Sequence, residues 1–399
     1  MINRPEYLEK LRRWKGRDVI KVVTGVRRCG KSTLLRLFAR ELEQGGVNAK
    51  HIISINLEQM ENDNLLDPHA LHSEIINRAQ DNAMHYVFID EVQNVPDFQR
   101  VVDSLYTRPN IDLYITGSNA LLLGGRLATL LSGRYIEISM LPLSFREYVS
   151  AFGEEESAAR LYSRYITNGS MPATLQFASN PTDLRDYLNG ILNTVLLKDV
   201  AQRLNASNTL GISALCTFLF DNVGNLTTIK RISDVITSQG TKISGNTVAE
   251  YLSALTDSFI FYQAKRFDVR GGRLLKLQDK YYAVDMGMRR VALSGRVRDT
   301  GRILENVVYL ELLRRYGEVF VGSIGNLKID FVVNGTDGPE YYQVAESVLG
   351  EETLCRELSS LRAVKDNHPK TLLTLDDADP INHEGIRQIN ALDWLLGKA

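Results

Sequence analysis

The N-terminal part of the chain alternates between β-branched runs and segments whose apolar residues recur at helical spacing. Val19-Ile20-Lys21-Val22-Val23-Thr24 reads as a strand. A glycine-bearing turn follows, and from Ser32 onward Leu34, Leu35, Phe38 and Leu42 mark a helix that Gly45-Gly46 closes. Tyr86-Val87-Phe88-Ile89 is an apolar strand ending in Asp90 and Glu91. Asp112 to Gly117 is another, with Ser118-Asn119 at its tip, and Ile136-Glu137-Ile138 reads as the fifth strand of the set. Residues from Ser144 to Leu204 read as helices. From Asn208 to Phe267 the pattern becomes a short amphipathic helix (Thr228 to Ile236), a turn at Gln239-Gly240, a second helix from Ser244, and a strand at Phe259 to Tyr262. Helix, glycine turn, helix, strand predicts a winged helix. Farther on, Glu305 opens the helical run E-N-V-V-Y-L-E-L-L, and strands are expected around Asp330 and over Tyr342 to Glu346.

At 399 residues the chain exceeds one ordinary core, so two or three domains are expected. With 44% hydrophobic and 24% charged residues it has the mix of a soluble globular protein. The first residues hold no apolar run resembling a signal peptide, and no stretch of about 18 apolar residues occurs, so no membrane partner is expected. The three cysteines, Cys29, Cys216 and Cys355, form no C-x-x-C pair. They point to reduced thiols in a cytoplasmic protein and away from a disulfide frame or zinc site.

The chemistry concentrates in Gly25-Val26-Arg27-Arg28-Cys29-Gly30-Lys31-Ser32-Thr33, which fits G-x-x-x-x-G-K-[ST] between a strand and a helix. In such a loop the glycines let backbone N–H groups face phosphates, and the helix N-terminus adds its positive dipole end. Gly25, Gly30, Lys31, Ser32 and Thr33 are therefore the expected nucleotide-binding set. Lys31 would reach the β- and γ-phosphates, and the Ser32 hydroxyl would ligate Mg2+. Arg27 and Arg28 would anchor to local acids or touch a neighbouring subunit. Cys29 is expected to pack, the alternative being a thiol acidified by the helix terminus. Asp90 is placed to hold Mg2+, Glu91 to polarise the attacking water, and the Asn119 amide to orient that water from the far side.

Together G-V-R-R-C-G-K-S-T, V-F-I-D-E-V-Q, I-T-G-S-N-A and L-S-G-R-Y-I-E-I-S-M-L-P-L-S-F-R-E-Y resemble a large family of prokaryotic AAA+ ATP-binding proteins. These carry a C-terminal domain of unknown function related to PD-(D/E)xK nucleases. N-T-V-L-L-K-D-V, K-Y-Y-A-V-D-M-G-M-R-R and L-E-N-V-V-Y-L-E-L extend the resemblance over nearly the whole chain. It implies an α/β fold: a P-loop AAA+ core with a five-stranded parallel sheet (1–143), a helical lid (144–207), a winged helix (208–268) and a nuclease-like α/β domain (269–399). It further implies Asp90 and Glu91 as the Walker B pair, Asn119 or Ser118 as sensor 1, and Arg134 as arginine finger or sensor, with Arg126 a weaker candidate. On residue type alone Arg134 could equally be a surface arginine. AAA+ proteins usually place the finger across a subunit boundary, so a homo-oligomeric ring or spiral, commonly a hexamer, is implied as well.

Net charge is −1, yet Lys265 to Arg302 hold eleven Lys and Arg against four Asp, with Phe267, Tyr281 and Tyr282 interleaved. Such a patch suits the backbone of double-stranded DNA, with Arg270, Arg273 and Lys276 as contacts. Its alternative is a surface that pairs with acids of a neighbouring subunit. The second helix of the winged-helix pattern carries Glu250 and Asp257 and little positive charge, a weak signature for reading bases. In the nuclease-like part, Glu305 and Asp330 match two acids of the pattern, but Gln343 and Ala345 stand where an acid and a lysine belong. A hard cation needs carboxylates and the developing charge needs a lysine, so this degraded site is expected to serve as a platform and not to cleave. The expectation is an ATPase that couples nucleotide state to gripping a partner, duplex DNA first. The alternatives are a protein-interaction switch without nucleic acid and a residual metal-dependent nuclease.

Overall fold

The computed structural model describes residues 2–118, 133–152, 156–204, 209–295 and 299–398, leaving out also the side chains of Lys276 and Leu277. Contacts divide the chain into two compact units, one running to Pro142 and taking in Asp257–Phe259, the other holding the rest.

In the first unit, β1 (Ile20–Thr24), β2 (Ile52–Asn56), β3 (His85–Asp90), β4 (Ile111–Gly117) and β5 (Tyr135–Ser139) form one sheet in the order β2-β3-β4-β1-β5. All its strand pairs are parallel, the five-stranded α/β arrangement expected. β1 and β3 are buried end to end, which is why they read as unbroken apolar runs: helices cover both faces. The cover comes from α1 (Pro5–Trp14), α2 (Lys31–Gln44), α3 (Pro68–Arg78) and α4 (Phe98–Tyr106). On one face Leu71, Ile75, Val101, Val102 and Leu105 pack against Ile20, Val22, Ile53, Ile55, Val87, Ile89, Leu113 and Ile115. Phe38 of α2 meets the rings of Phe88 and Tyr114 at 6.3 and 5.5 Å. Each fully buried side chain of this size contributes about 1.5–3 kcal/mol. The sequence pattern assigned no residues to β2; its alternation of half-buried, buried and exposed positions is the mark of an edge strand. Lys21 is the polar exception in β1: fully buried, it ion-pairs with Asp112 of β4, which also accepts from Tyr114 Oη at 2.8 Å.

The register sets the site. Val23 lies beside Thr116, and Ile89 beside Ile115, so Asp90 and Thr116 end level on neighbouring strands next to the loop that leaves β1.

The second unit opens with helices Phe145–Val149, Ala158–Asn168 and Pro181–Thr194 and the π-helical turns Val195–Ala201. Helices Thr209–Asp221, Ile229–Ser238 and Gly245–Asp257 follow, the last two where a helix–turn–helix was expected. β6 (Phe261–Asp268), β7 (Arg273–Ala283), β8 (Phe320–Ile324), β9 (Leu327–Gly335), β10 (Gly338–Val344), β11 (Lys370–Thr374), β12 (Ile381–His383) and β13 (Ile386–Asn390) form a mixed sheet. Its order is β12-β13-β11-β10-β9-β8-β6-β7. β6 pairs antiparallel with β7 and parallel with β8, so the hairpin after Gly245–Asp257 continues into this sheet. Glu305 does not open its helix, which starts at Thr300: buried Ile303 and Leu304 extend the apolar side upstream.

Candidate functional site

The loop after β1 turns sharply at positions that favour glycine. Gly25 has φ +144° and Gly30 φ +108°, and a Cβ at Gly25 would stand 2.2 Å from the Met140 carbonyl oxygen. Among the described residues no side chain caps α2, which starts at Lys31, so its first turn offers N–H groups to an anion. Lys31 is 4% exposed, and its Nζ donates to Gly25 O (2.9 Å), Val26 O (3.3 Å) and Ser118 Oγ (3.0 Å). Glu91 Oε1 lies 3.9 Å from the same ammonium. Ser32 and Thr33 sit half-buried in the first turn of α2.

Asp90 and Glu91 are both buried, and Thr116 on the adjacent strand joins them. Its hydroxyl donates to Asp90 Oδ1 at 2.5 Å and accepts the Glu91 N–H at 3.0 Å. Ser118 donates to Glu91 Oε1 at 2.8 Å, and Gln93 Nε2 donates to the other carboxylate oxygen. Glu91 itself holds a left-handed backbone, φ +55° and ψ +49°, a conformation that costs a non-glycine residue free energy unless its surroundings fix it. From the outside, buried Arg4 donates to the carbonyls of Cys29 (3.2 Å) and Leu141 (2.7 Å) and so steadies the loop.

The structure brings together Gly25, Gly30, Lys31, Ser32, Asp90, Glu91 and Ser118. Asn119 and Arg126 lie outside the described residues. Arg134 is not near this cluster. It precedes β5, its backbone carbonyl accepts from Ile20 N–H at the start of β1, and its guanidinium pairs with Asp103 at 2.6 Å. Arg27 reaches Glu58 at 3.5 Å, the local anchoring expected. Cys29 is fully buried, and burial pushes its thiol above the ordinary value, so the acidified-thiol alternative fails. Thr116 and Arg4 went unread in the sequence: the signal for Thr116 was the strand order, and Arg4 carried none.

The second unit holds another polar cluster. Glu305, Asp330 and Gln343 lie together, Ala345 leaves the motif's lysine position empty, and a lysine joins the acids from another strand. Lys280 of β7, largely buried, contacts Glu305 Oε1 at 2.7 Å and Asp330 Oδ1 at 3.6 Å. Tyr282 Oη donates to Glu305 at 2.6 Å and Val344 N–H to Asp330 at 3.0 Å. Gln343 bridges the Asp330 N–H (3.2 Å) and Glu357 (2.8 Å). Burial, and then the Glu305 charge, push the Asp330 carboxyl up to about 7 against the pull of Lys280.

These contacts shrink the basic patch. Lys280 is spent on acids inside the fold, and Arg289 is 2% exposed, its Nη1 and Nη2 on the Asp299 carboxylate at 2.9 Å. Tyr281 and Tyr282 are buried and not surface aromatics. Arg270 and Arg273 are exposed at the β6–β7 turn, whereas the side chain of Lys276 lies outside the described residues. Counting charges along the sequence overstated the accessible excess because strands turn alternate side chains inward.

Among the described residues no helix is long and apolar enough to cross a membrane. Residues 17–149 match the family described as AAA domain, and residues 159–299 a domain of unknown function (DUF8612). An uncharacterized protein of Haemophilus influenzae is 38% identical over 400 residues, covering 99% of each chain. One from Methanocaldococcus jannaschii is 27% identical, covering 94% of this chain and 85% of its own. The Walker-type ATPase of Pyrococcus abyssi shares the fold with a TM-score of 0.50 at 15% identity, over 73% of this chain and 96% of that one. The matching AAA domain, the P-loop geometry and a relative alike from end to end place this chain in a family of AAA+ ATP-binding proteins.

Proposed function

We propose that the chain hydrolyses ATP in the presence of Mg2+ at the cluster built on Lys31, Asp90 and Glu91. The observation that carries this reading is the continuous set of contacts from Lys31 through Ser118 to Glu91, and through Thr116 to Asp90, at the C-terminal ends of the inner strands of a parallel sheet. The donors suit the group: a buried ammonium and an uncapped helix start for phosphates, and the hydroxyl and carboxylate oxygens of Ser32 and Asp90 for a hard cation. Bound Mg-ATP supplies the transferable phosphoryl group and the metal charge. Lys31 neutralises phosphate charge, with Gly25, Gly30 and Thr33 in the same loop. Glu91, held by Ser118, Gln93 and its own N–H, polarises the attacking water and accepts its proton. Asn119 follows Ser118 and serves as its companion at the sensor position. Lys31→Ala should lose ATP binding, whereas Glu91→Gln should keep binding and stall phosphate release. Normal turnover by Glu91→Gln would remove Glu91 from the catalytic role.

Arg134, 46% exposed and away from its own loop, is read as acting on a neighbouring subunit's nucleotide within a homo-oligomeric ring or spiral. Partner capture is assigned to the second unit, with the 208–268 segment as winged helix and the 269–399 part as a nuclease-like platform. Exposed Arg270 and Arg273 favour duplex DNA as the partner. A protein-interaction switch is the other outcome, and retention of DNA at two salt concentrations separates them. In the platform Lys280 occupies the space between two acids that a cation would need, which supports a site without Mg2+- or Mn2+-dependent cleavage. Nicking of supercoiled DNA that vanishes in Asp330→Ala would overturn this.

A further inference from the structure

At the opposite end of β3 from Asp90, two imidazoles and a carboxylate converge. β2 and β3 pair with Ile52 beside Tyr86, which sets His51 and His85 side by side where the two strands begin. Asp81 lies in the loop between α3 and β3. His51 Nε2 stands 3.0 Å from Asp81 Oδ2 and His85 Nε2 3.5 Å from Asp81 Oδ1, and the ligand atoms of all three residues lie within 4.8 Å of one another. The rings meet edge to face at 4.9 Å. The loop is held for the purpose: Ala83 N–H donates to Asp81 Oδ1 at 3.0 Å, and Asn110 Nδ2 to the Asp81 backbone carbonyl at 2.9 Å.

His85 is the telling member. It is 1% exposed and turns Nε2 towards Asp81, while Nδ1 has no hydrogen-bond partner among the described residues. A buried imidazole normally satisfies its nitrogens, and the 3.5 Å gap from Nε2 to Asp81, too long for a good hydrogen bond, is one that a shared cation would fill. We propose that His51, Asp81 and His85 form a binding site for a borderline divalent cation of the zinc, cobalt or nickel class. Zinc bonds of about 2.0–2.1 Å in a tetrahedron give ligand–ligand edges of about 3.3–3.4 Å, so the three ligand atoms, within 4.8 Å of one another, need only close in around the ion. Two imidazoles with one carboxylate select such ions over Mg2+, which takes oxygen ligands. The fourth position is left to water or another ligand. The cation would tie the starts of β2 and β3 to the loop before β3. It sits about 16 Å along the strand from Asp90, so the site is independent of nucleotide chemistry. Lys50 Nζ lies 3.8 Å from Asp81 on a well-exposed side chain that has room to swing aside.

The test is a Co2+ titration of the full chain, without a polyhistidine tag and with Mg2+ in excess to fill oxygen-ligand sites, followed by visible absorbance. One Co2+ per chain, displaced by Zn2+, is expected. His51→Asn and Asp81→Asn should each weaken binding about tenfold or more, since outer partners of metal ligands already change affinity by about 10–100-fold. Both side chains are accessible (17% and 48% exposed), and circular dichroism checks that the variants fold. Cys355→Ser, which removes the exposed thiol, should leave binding unchanged. The proposal is overturned by no saturable absorbance, by binding that survives both His51→Asn and Asp81→Asn, or by binding lost in Cys355→Ser.

Discussion

Replacing Thr116 by valine keeps most of the side-chain volume and removes one hydroxyl from the centre of the nucleotide site. Thr116 is fully buried, so no water can substitute. The hydroxyl's bond to the Asp90 carboxylate, 2.5 Å, belongs to the charged class that contributes about 1.5–3 kcal/mol. Stranding the buried Glu91 N–H, now 3.0 Å from Oγ1, costs about 1–3 kcal/mol more. Relaxation returns part of this, so a stability loss of about 2–5 kcal/mol in the first unit is expected. The same N–H helps hold Glu91 at φ +55°, so its carboxylate should shift when the bond is gone. A misplacement of about 1 Å costs roughly a hundredfold in rate. ATP binding should persist because Lys31 and its loop are untouched. Phosphate-release kinetics, binding of a fluorescent ATP analogue and denaturant unfolding measure the three quantities. Thr116→Ser, which keeps the hydroxyl, should stay within a few-fold of the parent. The reasoning is refuted if Thr116→Val turns over at the parental rate, or if Thr116→Ser falls as far as Thr116→Val.

Mixing Arg134→Ala with Lys31→Ala subunits should restore some ATPase activity, because each supplies what the other lacks; a finger is worth about 10³-fold or more, and a mixture that stays dead means that Arg134 does not act in trans. Arg270, Arg273 and Lys276 reversed together to Glu should flatten the salt dependence of DNA retention, each phosphate contact being worth about −0.9 in log–log slope; dissociation into monomers by a protein whose parent never held DNA would make the patch a subunit interface. Gly25→Ala should lose nucleotide binding, because its Cβ meets a backbone carbonyl at 2.2 Å; unimpaired binding would mean that the strand beside it yields. Asp330 is raised from 3.8 to about 7, so between those values the folded chain holds a proton that the unfolded chain releases; stability from this group is present at low pH and lost as pH rises through about 7. Denaturant midpoints should therefore fall between about pH 4 and 7 in the parent and less so in Asp330→Asn, and equal slopes would remove Asp330 as the cause.

Local chemistry was legible and pairing was not. Gly25 to Thr33 declare themselves because every part of a phosphate loop lies within a few residues of the next, and Asp90-Glu91 because an apolar strand ends on them. Thr116 belongs to the same site, but only the adjacency of β3 and β4 sets it beside Asp90. β2 went unread because an edge strand buries only part of its length and offers a weaker apolar run. Lys280 illustrates the limit of a linear motif. The expected lysine position is on β10, where Ala345 follows the strand, whereas the ammonium arrives from β7 on the far edge of the sheet. The helix Thr300–Tyr316 makes the meeting possible: Glu305 faces Lys280 and Tyr282, and Tyr309 stacks on Tyr282 at 4.0 Å.

Charge balance separates the two clusters that resemble cation sites. Around Glu305 and Asp330 the compensating charge is built into the chain, since Lys280 touches both carboxylates from a largely buried position. A divalent ion entering there must displace an ammonium that has nowhere wet to go, and unpairing a buried charge costs about 3–5 kcal/mol. The elevated Asp330 carboxyl belongs to the same balance, because one ammonium does not offset two buried acids and a proton makes up part of the difference. At His51, Asp81 and His85 nothing comparable competes. The imidazoles donate lone pairs without demanding a counter-charge, the carboxylate is half exposed, and the Lys50 ammonium beside it is exposed to solvent. Lys280→Met should therefore leave Glu305 and Asp330 to recruit protons or Mn2+, raising metal uptake in the second unit. The parent chain should take borderline cations at the histidine cluster alone. Equal Mn2+ uptake by the parent and Lys280→Met would show that the ammonium does not guard the acids, and would return the metal-dependent nuclease reading to consideration.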